Sequence, residues 1–504
     1  MQALFDTLQA LVSNPYIIAS MVYLFALIGV GVYKTRSMNS GDDFMVAGRT
    51  LPWYILVGTL LATWMGSGSL FSGAGLGFRN GLAGAWHSAG AWVGILLVYF
   101  IARRIRNFGQ VTVPDIFEAR YGKVARVLAT LITVIAYLTI VSYQFRGGGI
   151  VLSTITAGEV TPQAGIIITA VFAILYTVLA GMLSVVYTDV VNGVLMVSGM
   201  IIGLLVLIFA VGGMDDIIMS AEAAGKWSLF GNWALENPNI DSGPIVAFGF
   251  LVPTMLLLLG DANMYQRIFS AQDGGQAQKA IFFWVIGVVI LELTFYMFGL
   301  AGSVAVEKGL ITDLVNGEDV VPAAALQALP MLLGMVLVST MMAVIVSTAD
   351  SFLLIPATNL TRDVFQRFVN PDMSEKAVVF MSRSWVLALG IVAFLLVDQF
   401  PTVLAAAYTA YLIYGAGITP ALLAAFLWKR ATWQGAVASI LAGSFVTLLW
   451  TFYFSNQDYF SNWNAFLQQE TYPAVAASLL ALIGVSLLTP KPDESAWKPF
   501  FNDN

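Results

Sequence analysis

The stretch Met341–Asp350, MMAVIVSTAD, and the Ser351 that follows it set hydroxyls and a carboxylate inside an apolar run. No charged residue occurs from Gln327 to Ala349, enough chain to cross a bilayer core of ~30 Å as a helix. Helical spacing puts Val344, Ser347, Thr348 and Ser351 on one face at i, i+3, i+4 and i+7, with Asp350 at its border. Such a row presents hard oxygens, which suit a cation that makes no strong directional bonds, such as sodium. One hydroxyl there would be equally well explained by a bond to the carbonyl four residues back. Three hydroxyls beside an acid point further, because intramembrane acids are costly and mark ion or proton paths.

Other polar residues lie at membrane depth. Arg146, in Tyr143-Gln-Phe-Arg-Gly-Gly-Gly149, is costly there without a partner. Either Glu292 or Asp261 neutralises it, or its guanidinium fork receives a solute carboxylate. Glu292 is read as a structural partner rather than a ligand. His87, the only histidine, either meets solute or protons or sits at the interface beside Trp86. Enzyme chemistry finds little footing. Ser67 and His87 lack the Gly-x-Ser-Gly frame of an intramembrane serine protease, because position 65 is Met. Asp261 follows Leu258-Leu-Gly260 rather than the Gly-x-Gly of an aspartyl one. Gly73-Ala-Gly75-Leu-Gly77 is no nucleotide loop, since no strand precedes it. Zero cysteines exclude disulfides and thiolate metal sites, and one histidine excludes multi-histidine centres.

The elements that must position these residues are membrane helices. Of 504 residues 59% are hydrophobic and 10% charged, where a soluble domain carries roughly 25% charged residues. The chain reads as an all-α polytopic membrane protein of about 13 transmembrane helices, over roughly 16–35, 53–77, 83–103, 124–157, 162–182, 187–212, 244–263, 278–305, 328–361, 380–400, 402–428, 432–455 and 470–490. The polar Met1–Asn14, without a basic region, is read as no cleavable signal. With the N-terminus outside and the C-terminus cytoplasmic, 19 of 23 basic residues fall inside, Arg267 among them. Only Arg79, Lys226 and Lys308 fall outside, which is the asymmetry of a cell-membrane protein. The outside loops 213–242 and 307–326 are net acidic and are expected to hold short surface helices.

Two spans are interrupted. Thr63–Gly77 puts five glycines and three serines at membrane depth; each glycine weakens a helix by ~1 kcal/mol relative to alanine. Unwound backbone in lipid survives only where it lines a cavity or meets a ligand; the other account is close helix packing through small residues. Val252-Pro-Thr254 breaks the seventh span in the same way. Interrupted spans five helices apart, opening 53–212 and 244–428, fit a five-plus-five inverted-repeat transporter core. The organisation is then an N-terminal extra helix and linker (1–45), a transporter core (46–430) and two C-terminal helices with a tail (431–504).

At this point the residues resemble the solute:sodium symporter family. The match rests on Gly48-Arg-Thr-Leu-Pro52 before Ala62-Thr-Trp-Met-Gly-Ser-Gly68, on Tyr187-Thr-Asp189, on Gln266-Arg-Ile-Phe-Ser-Ala271, and on Ser347-Thr-Ala-Asp-Ser351 with Thr361-Arg-Asp363. Tyr414-Gly-Ala-Gly-Ile-Thr-Pro420 with Trp428-Lys-Arg430 adds to it, so that the likeness covers about residues 40–450. It implies thirteen helices and sodium-driven secondary transport, with Na+ as coupling ion and no cofactor. By match, a sodium site takes carbonyls of Ala62, Met65 and Val344 and hydroxyls of Ser347 and Thr348. A second sodium would lie at Asp189, Asp350 and Ser351, where other members carry serines in place of Asp350 and Ser351; a carboxylate ligand there could equally carry a proton. Solute-contacting positions fall at Ser69, His87, Arg146, Thr254 and Tyr411. Leu256 and Leu257 stand where sugar carriers have a stacking aromatic, and Trp64 where proline carriers have an aspartate, so both solutes are disfavoured. The expectation is sodium symport of a small organic solute bearing a carboxylate. Lipid is its other partner, with neither nucleic acid nor an obligate protein partner. The alternatives are a proton-coupled carrier of the same fold and a transporter-like sensor or channel.

Overall fold

In the computed structural model the described residues, 13–35, 47–109, 112–179, 182–231, 243–312, 314 and 317–501, are helical throughout, with one bridge between Leu51 and Ala271 and no strand. The polar start before residue 13, Arg36 with the linker 36–46, and residues 232–242 of the first acidic loop lie outside the described residues. Among the described residues eleven helical stretches are long and apolar enough to cross a membrane, and two shorter apolar helices complete the expected thirteen.

The membrane helices are α1 (Pro15–Thr35), α2 (Trp53–Trp64, resuming through Gly68–Ser72 to Gly73–Asn80), α3 (Trp86–Phe108), α4 (Lys123–Ile155), α5 (Pro162–Leu179), α6 (Met182–Ala210) and α7 (Gly243–Gly260, then Ala262–Ser270). They continue with α8 (Gly274–Glu307), α9 (Met331–Asn359), α10 (Glu375–Leu396), α11 (Val403–Gly417, then Thr419–Leu427), α12 (Trp433–Phe452) and α13 (Thr471–Leu488). Short helices Met214–Ala223 and Val320–Gln327 occupy the two acidic loops, as expected there.

The packing has a hidden symmetry. α2 packs on α8 and α3 on α7, so the first helix of each five lies on the second helix of the other. α4 packs on α9, each the third of its five. α2 meets α6 as α7 meets α11, and α6 meets α9 as α4 meets α11. Such an exchange of partners is what two inverted repeats produce around a pseudo-two-fold axis in the membrane.

Both interrupted helices break, one of them elsewhere than the sequence predicts. In α2 the ladder ends at Met65 (φ −83, ψ 74), whose N–H still reaches Leu61. Gly66 donates back to Trp64 at 3.0 Å, and Ser67 donates to Gln144 at 2.8 Å, so a side chain takes over where the helix lets go. In α7 the helix runs straight through Val252-Pro-Thr254 and breaks at Asp261. Pro253 cannot donate to the carbonyl of Gly249. That orphan accepts instead from Tyr408 Oη at 2.9 Å and Thr471 Oγ1 at 2.8 Å, so the helix needs no opening. After Gly260, Asp261 caps the new helix through the N–H groups of Asn263 and Met264.

A second correction concerns Arg267. Assigned by its sequence to an inside loop, it is 1% exposed on the second part of α7 and belongs to the core.

Candidate ion and solute site

The sodium ligands expected from the sequence come from α2 and α9, which meet at the α2 break. Ala62 and Met65 are fully buried at the end of the first half of α2, and Val344, Ser347 and Thr348 are buried on the facing side of α9. Thr348 Oγ1 donates to the carbonyl of Ala62 at 3.3 Å, which brings the two halves of the oxygen set together. The approach leaves no room for a side chain at position 66: a Cβ on Gly66 would come within 2.8 Å of Thr348 Cγ2 and 2.6 Å of Gln144 Nε2. Ser347 turns the other way and donates to Asp189 of α6.

Asp189 is the centre of a second cluster. It is wholly buried and accepts from Thr59 Oγ1 at 2.7 Å, from Thr63 Oγ1 at 3.4 Å, and from Ser347. Its cation is Arg267, whose Nη2 lies 3.4 Å from the carboxylate and also donates to Ser351 Oγ at 3.0 Å. Arg267 Nε donates to Thr59 at 3.0 Å. The place read as a second sodium site, at Asp189 and Ser351, is thus held by a guanidinium. Asp350 stands apart. It is fully buried, and neither oxygen has a hydrogen-bond partner. The neighbouring hydroxyl of Thr177 donates to the Ala173 carbonyl at 2.8 Å.

The expected solute residues do not all converge. His87 and Tyr411 do: their rings stack at 6.0 Å, and Trp64 lies against Tyr411 at 5.9 Å. Tyr411 Oη approaches Tyr143 Oη at 3.5 Å beside Gly68. Ser69 is buried at the break, its hydroxyl 3.4 Å from the Trp64 carbonyl. Thr254 is buried, with its hydroxyl directed to the Phe250 carbonyl at 3.5 Å. Arg146 leaves the group. Its guanidinium donates to the backbone carbonyls of Val397 at 2.8 Å, Phe400 at 2.6 Å and Pro401 at 3.2 Å, tying the α10–α11 connection to α4. It contacts neither Glu292 nor Asp261, the ion-pair partners considered from sequence, because three carbonyls already satisfy its donors. Glu292 is buried instead against Trp64 and Trp92, whose indole N–H groups donate at 2.8 and 2.6 Å. A void of about 10 Å³ lies at the break between Thr63, Trp64, Asp261 and Arg267, room for about one water.

Sequence reasoning missed Thr59 and Thr63, the cationic role of Arg267, and the indole pair on Glu292. The i, i+4 spacing of Thr59 and Thr63 would have put them on one face of α2. Nothing local marks Trp92, one helix away from Trp64.

The sequence matches the model of the sodium:solute symporter family over residues 44–443. Among similar curated proteins is the high-affinity proline transporter PutP of Bacillus subtilis, 27% identical over 94% of this chain and 98% of that one. Another is the sodium/glucose cotransporter of Vibrio parahaemolyticus, 26% identical over 85% of this chain and 82% of that one. Among solved structures, a Na+-coupled sialic acid symporter in a substrate-bound outward-open state superposes with a TM-score of 0.79 at 19% identity, covering 95% of this chain and 98% of that one.

Proposed function

The chain belongs to the sodium:solute symporter family, and from that premise we propose how its own residues couple sodium to a small organic solute. Sodium binds between the carbonyls of Ala62, Met65 and Val344 and the hydroxyls of Ser347 and Thr348. The solute binds beside it at Ser69, His87, Thr254 and Tyr411. The contact of Thr348 with the Ala62 carbonyl carries this reading, because it joins α9 to the broken helix at oxygens a cation can use. Sodium favours whichever arrangement of α2 against α9 completes its oxygen set, and rocking of one helix group against the other then opens the site to the opposite side. The N-terminus faces outward and the membrane is that of the cell, on the strength of the basic residues.

The solute carries a carboxylate, but Arg146 is not its receiver. The amino end of the second half of α2, at Gly68, suits it better, since a helix start favours negative charge. A second cation enters at Asp350. Three buried carboxylates, Asp189, Asp261 and Asp350, act on one guanidinium, Arg267, so that negative charge is in excess, and the Asp350 oxygens, which accept no hydrogen bond, favour sodium or a proton there.

The test replaces both Ser347 and Thr348 with Ala and measures the shift in melting temperature on titrating sodium, with potassium at equal ionic strength as control. The double variant should need at least about tenfold more sodium, or ~1.4 kcal/mol of lost binding. An unchanged sodium requirement sinks the site. Counterflow of labelled solute in liposomes separates a carrier from a channel.

A further inference from the structure

Glu292 lies in the middle of α8, within a span, at 1% exposure. Of the deep acids, Asp189 has Arg267, Asp363 has Arg126, Asp261 has two helix N–H groups, and Asp350, the proposed cation site, has no hydrogen-bond donor. Glu292 has no ion pair among the described residues. Its oxygens accept from neutral donors only, Trp64 Nε1 at 2.8 Å and Trp92 Nε1 at 2.6 Å, with the Ser88 hydroxyl also bonded to it. Indoles fix where a carboxylate points and leave its charge uncancelled, and an uncancelled charge at membrane depth marks a functional site.

What surrounds it narrows the missing cation. Trp64 is the last residue before the α2 break, so the carboxylate is tied to the place where the solute is proposed to bind. The Trp64 ring tilts by 31° against Tyr411, and the His87 ring stacks on Tyr411, giving three neighbouring aromatic rings beside the acid. Two indole N–H groups are of no use to a metal ion, which needs oxygens on every side. Aromatic faces next to a carboxylate attract an organic cation, through the ring quadrupole and through charge-assisted hydrogen bonds. Ser88 Oγ, which lies against Glu292, and Tyr296 Oη, 3.0 Å from it on α8, add oxygen lone pairs that an ammonium can donate to.

We propose that the solute carries a cationic nitrogen, an ammonium or substituted ammonium, that pairs with Glu292 beside the aromatic rings of Trp64, Tyr411 and His87. This rests on the symport reading above and fixes the chemistry of its solute as a zwitterion. The carboxylate then goes to the helix start and the nitrogen to Glu292.

The experiment uses the full chain in lipid nanodiscs and follows the melting temperature in sodium. The probes are matched pairs that differ in the nitrogen alone: proline and cyclopentanecarboxylate, alanine and propionate, glycine betaine and 3,3-dimethylbutyrate, together with the other common amino acids, glucose and pantothenate. At least one nitrogen-bearing cation should bind, and its nitrogen-free twin should bind at least about tenfold more weakly, as expected for a lost hydrogen bond to a charged group. Glu292→Gln should lose that preference while keeping the sodium-induced shift. Binding of a nitrogen-free solute with equal or better affinity overturns the proposal, as does a panel in which no cationic nitrogen binds. That second result includes the case in which Glu292 takes a proton instead. If Glu292→Gln does not fold, the matched pairs on the unaltered protein still decide. Loss of the sodium shift in the unaltered protein would instead overturn the symport reading, so the two failures are told apart.

Discussion

Arg267→Gln offers the sharpest test of how charge is balanced at the ion site. Arg267 and Asp189 are 1% and 0% exposed, and their charges lie 3.4 Å apart. Removing the guanidinium leaves a buried carboxylate without its cation, which costs roughly 3–5 kcal/mol in known buried pairs. Thr59, Thr63 and Ser347 remain as donors to Asp189, which places the cost at the lower end, about 3 kcal/mol. If the guanidinium stands where a second sodium would otherwise lie, the vacated place still offers Asp189, Ser351 and Asp350. Sodium at a hundredfold excess over its dissociation constant would return about 2.7 kcal/mol. The variant should therefore melt well below the unaltered protein in potassium and recover most of the loss in sodium. Arg267→Gln combined with Asp189→Asn should be stable in both salts. The assay is thermal unfolding in nanodiscs at constant ionic strength. A variant that melts equally low in sodium and potassium refutes the idea that the guanidinium substitutes for an ion. A variant with undiminished stability refutes the charge argument itself.

Asp350→Asn should lower by one the number of cations carried per solute, read from reversal potentials in liposomes at several sodium and pH gradients; an unchanged stoichiometry and pH profile would leave Asp350 structural. Arg146→Gln strips three carbonyls at 397–401 of their donors and should cost about 1–3 kcal/mol of stability, leaving solute affinity unaltered; lost carboxylate affinity at full stability would restore the substrate role inferred from sequence. Glu118, on the short helix Val113–Tyr121, is pushed up by burial but held below the ordinary carboxylate value by hydrogen bonds from Arg367 and Arg126. Its folded pKa is the lower one, so its stabilisation is complete above the ordinary value of 4.5 and is lost as pH falls through the folded value. Below pH 4.5 the unaltered protein should lose melting temperature more steeply than Glu118→Gln, and parallel profiles would contradict this.

The thirteen spans and the α2 break were legible because hydropathy and glycine act locally. Five glycines within fifteen residues weaken any helix, wherever it packs. Pro253 misled for a physical reason: its effect depends on whether the Gly249 carbonyl finds another donor, and Tyr408 and Thr471 come from α11 and α13. Asp261, which does break α7, resembles any capping aspartate. Arg146 was misread because its partners are backbone carbonyls, which every residue carries and no sequence marks. Arg267 follows the span so closely that it reads as the first loop cation, yet a second break keeps the chain inside the membrane. The Ser347–Thr348 pair was legible as an oxygen face, but not that its two hydroxyls part company, one to Asp189 and one to Ala62.

That divergence bears on how ion and solute are linked. Thr59, Ala62, Thr63 and Trp64 lie within two turns of α2. Thr59 and Thr63 donate to Asp189, the Ala62 carbonyl meets Thr348, and Trp64 holds Glu292. At 1.5 Å rise per residue, the proposed sodium carbonyl at Ala62 and the proposed solute anchor at Trp64 are about 3 Å apart along one helix axis. No long chain of contacts is then required to carry coupling between them, since a cation that draws the Ala62 carbonyl toward α9 also moves the root of Trp64. The break just beyond, at Met65 and Gly66, frees those carbonyls from the ladder. It also lets the first half of α2 shift without dragging the second half along. A helix continuous through Gly66 would keep its carbonyls bonded and would tie Trp64 to the whole length of α2. On the proposed reading the glycines at this point serve movement as well as ligation.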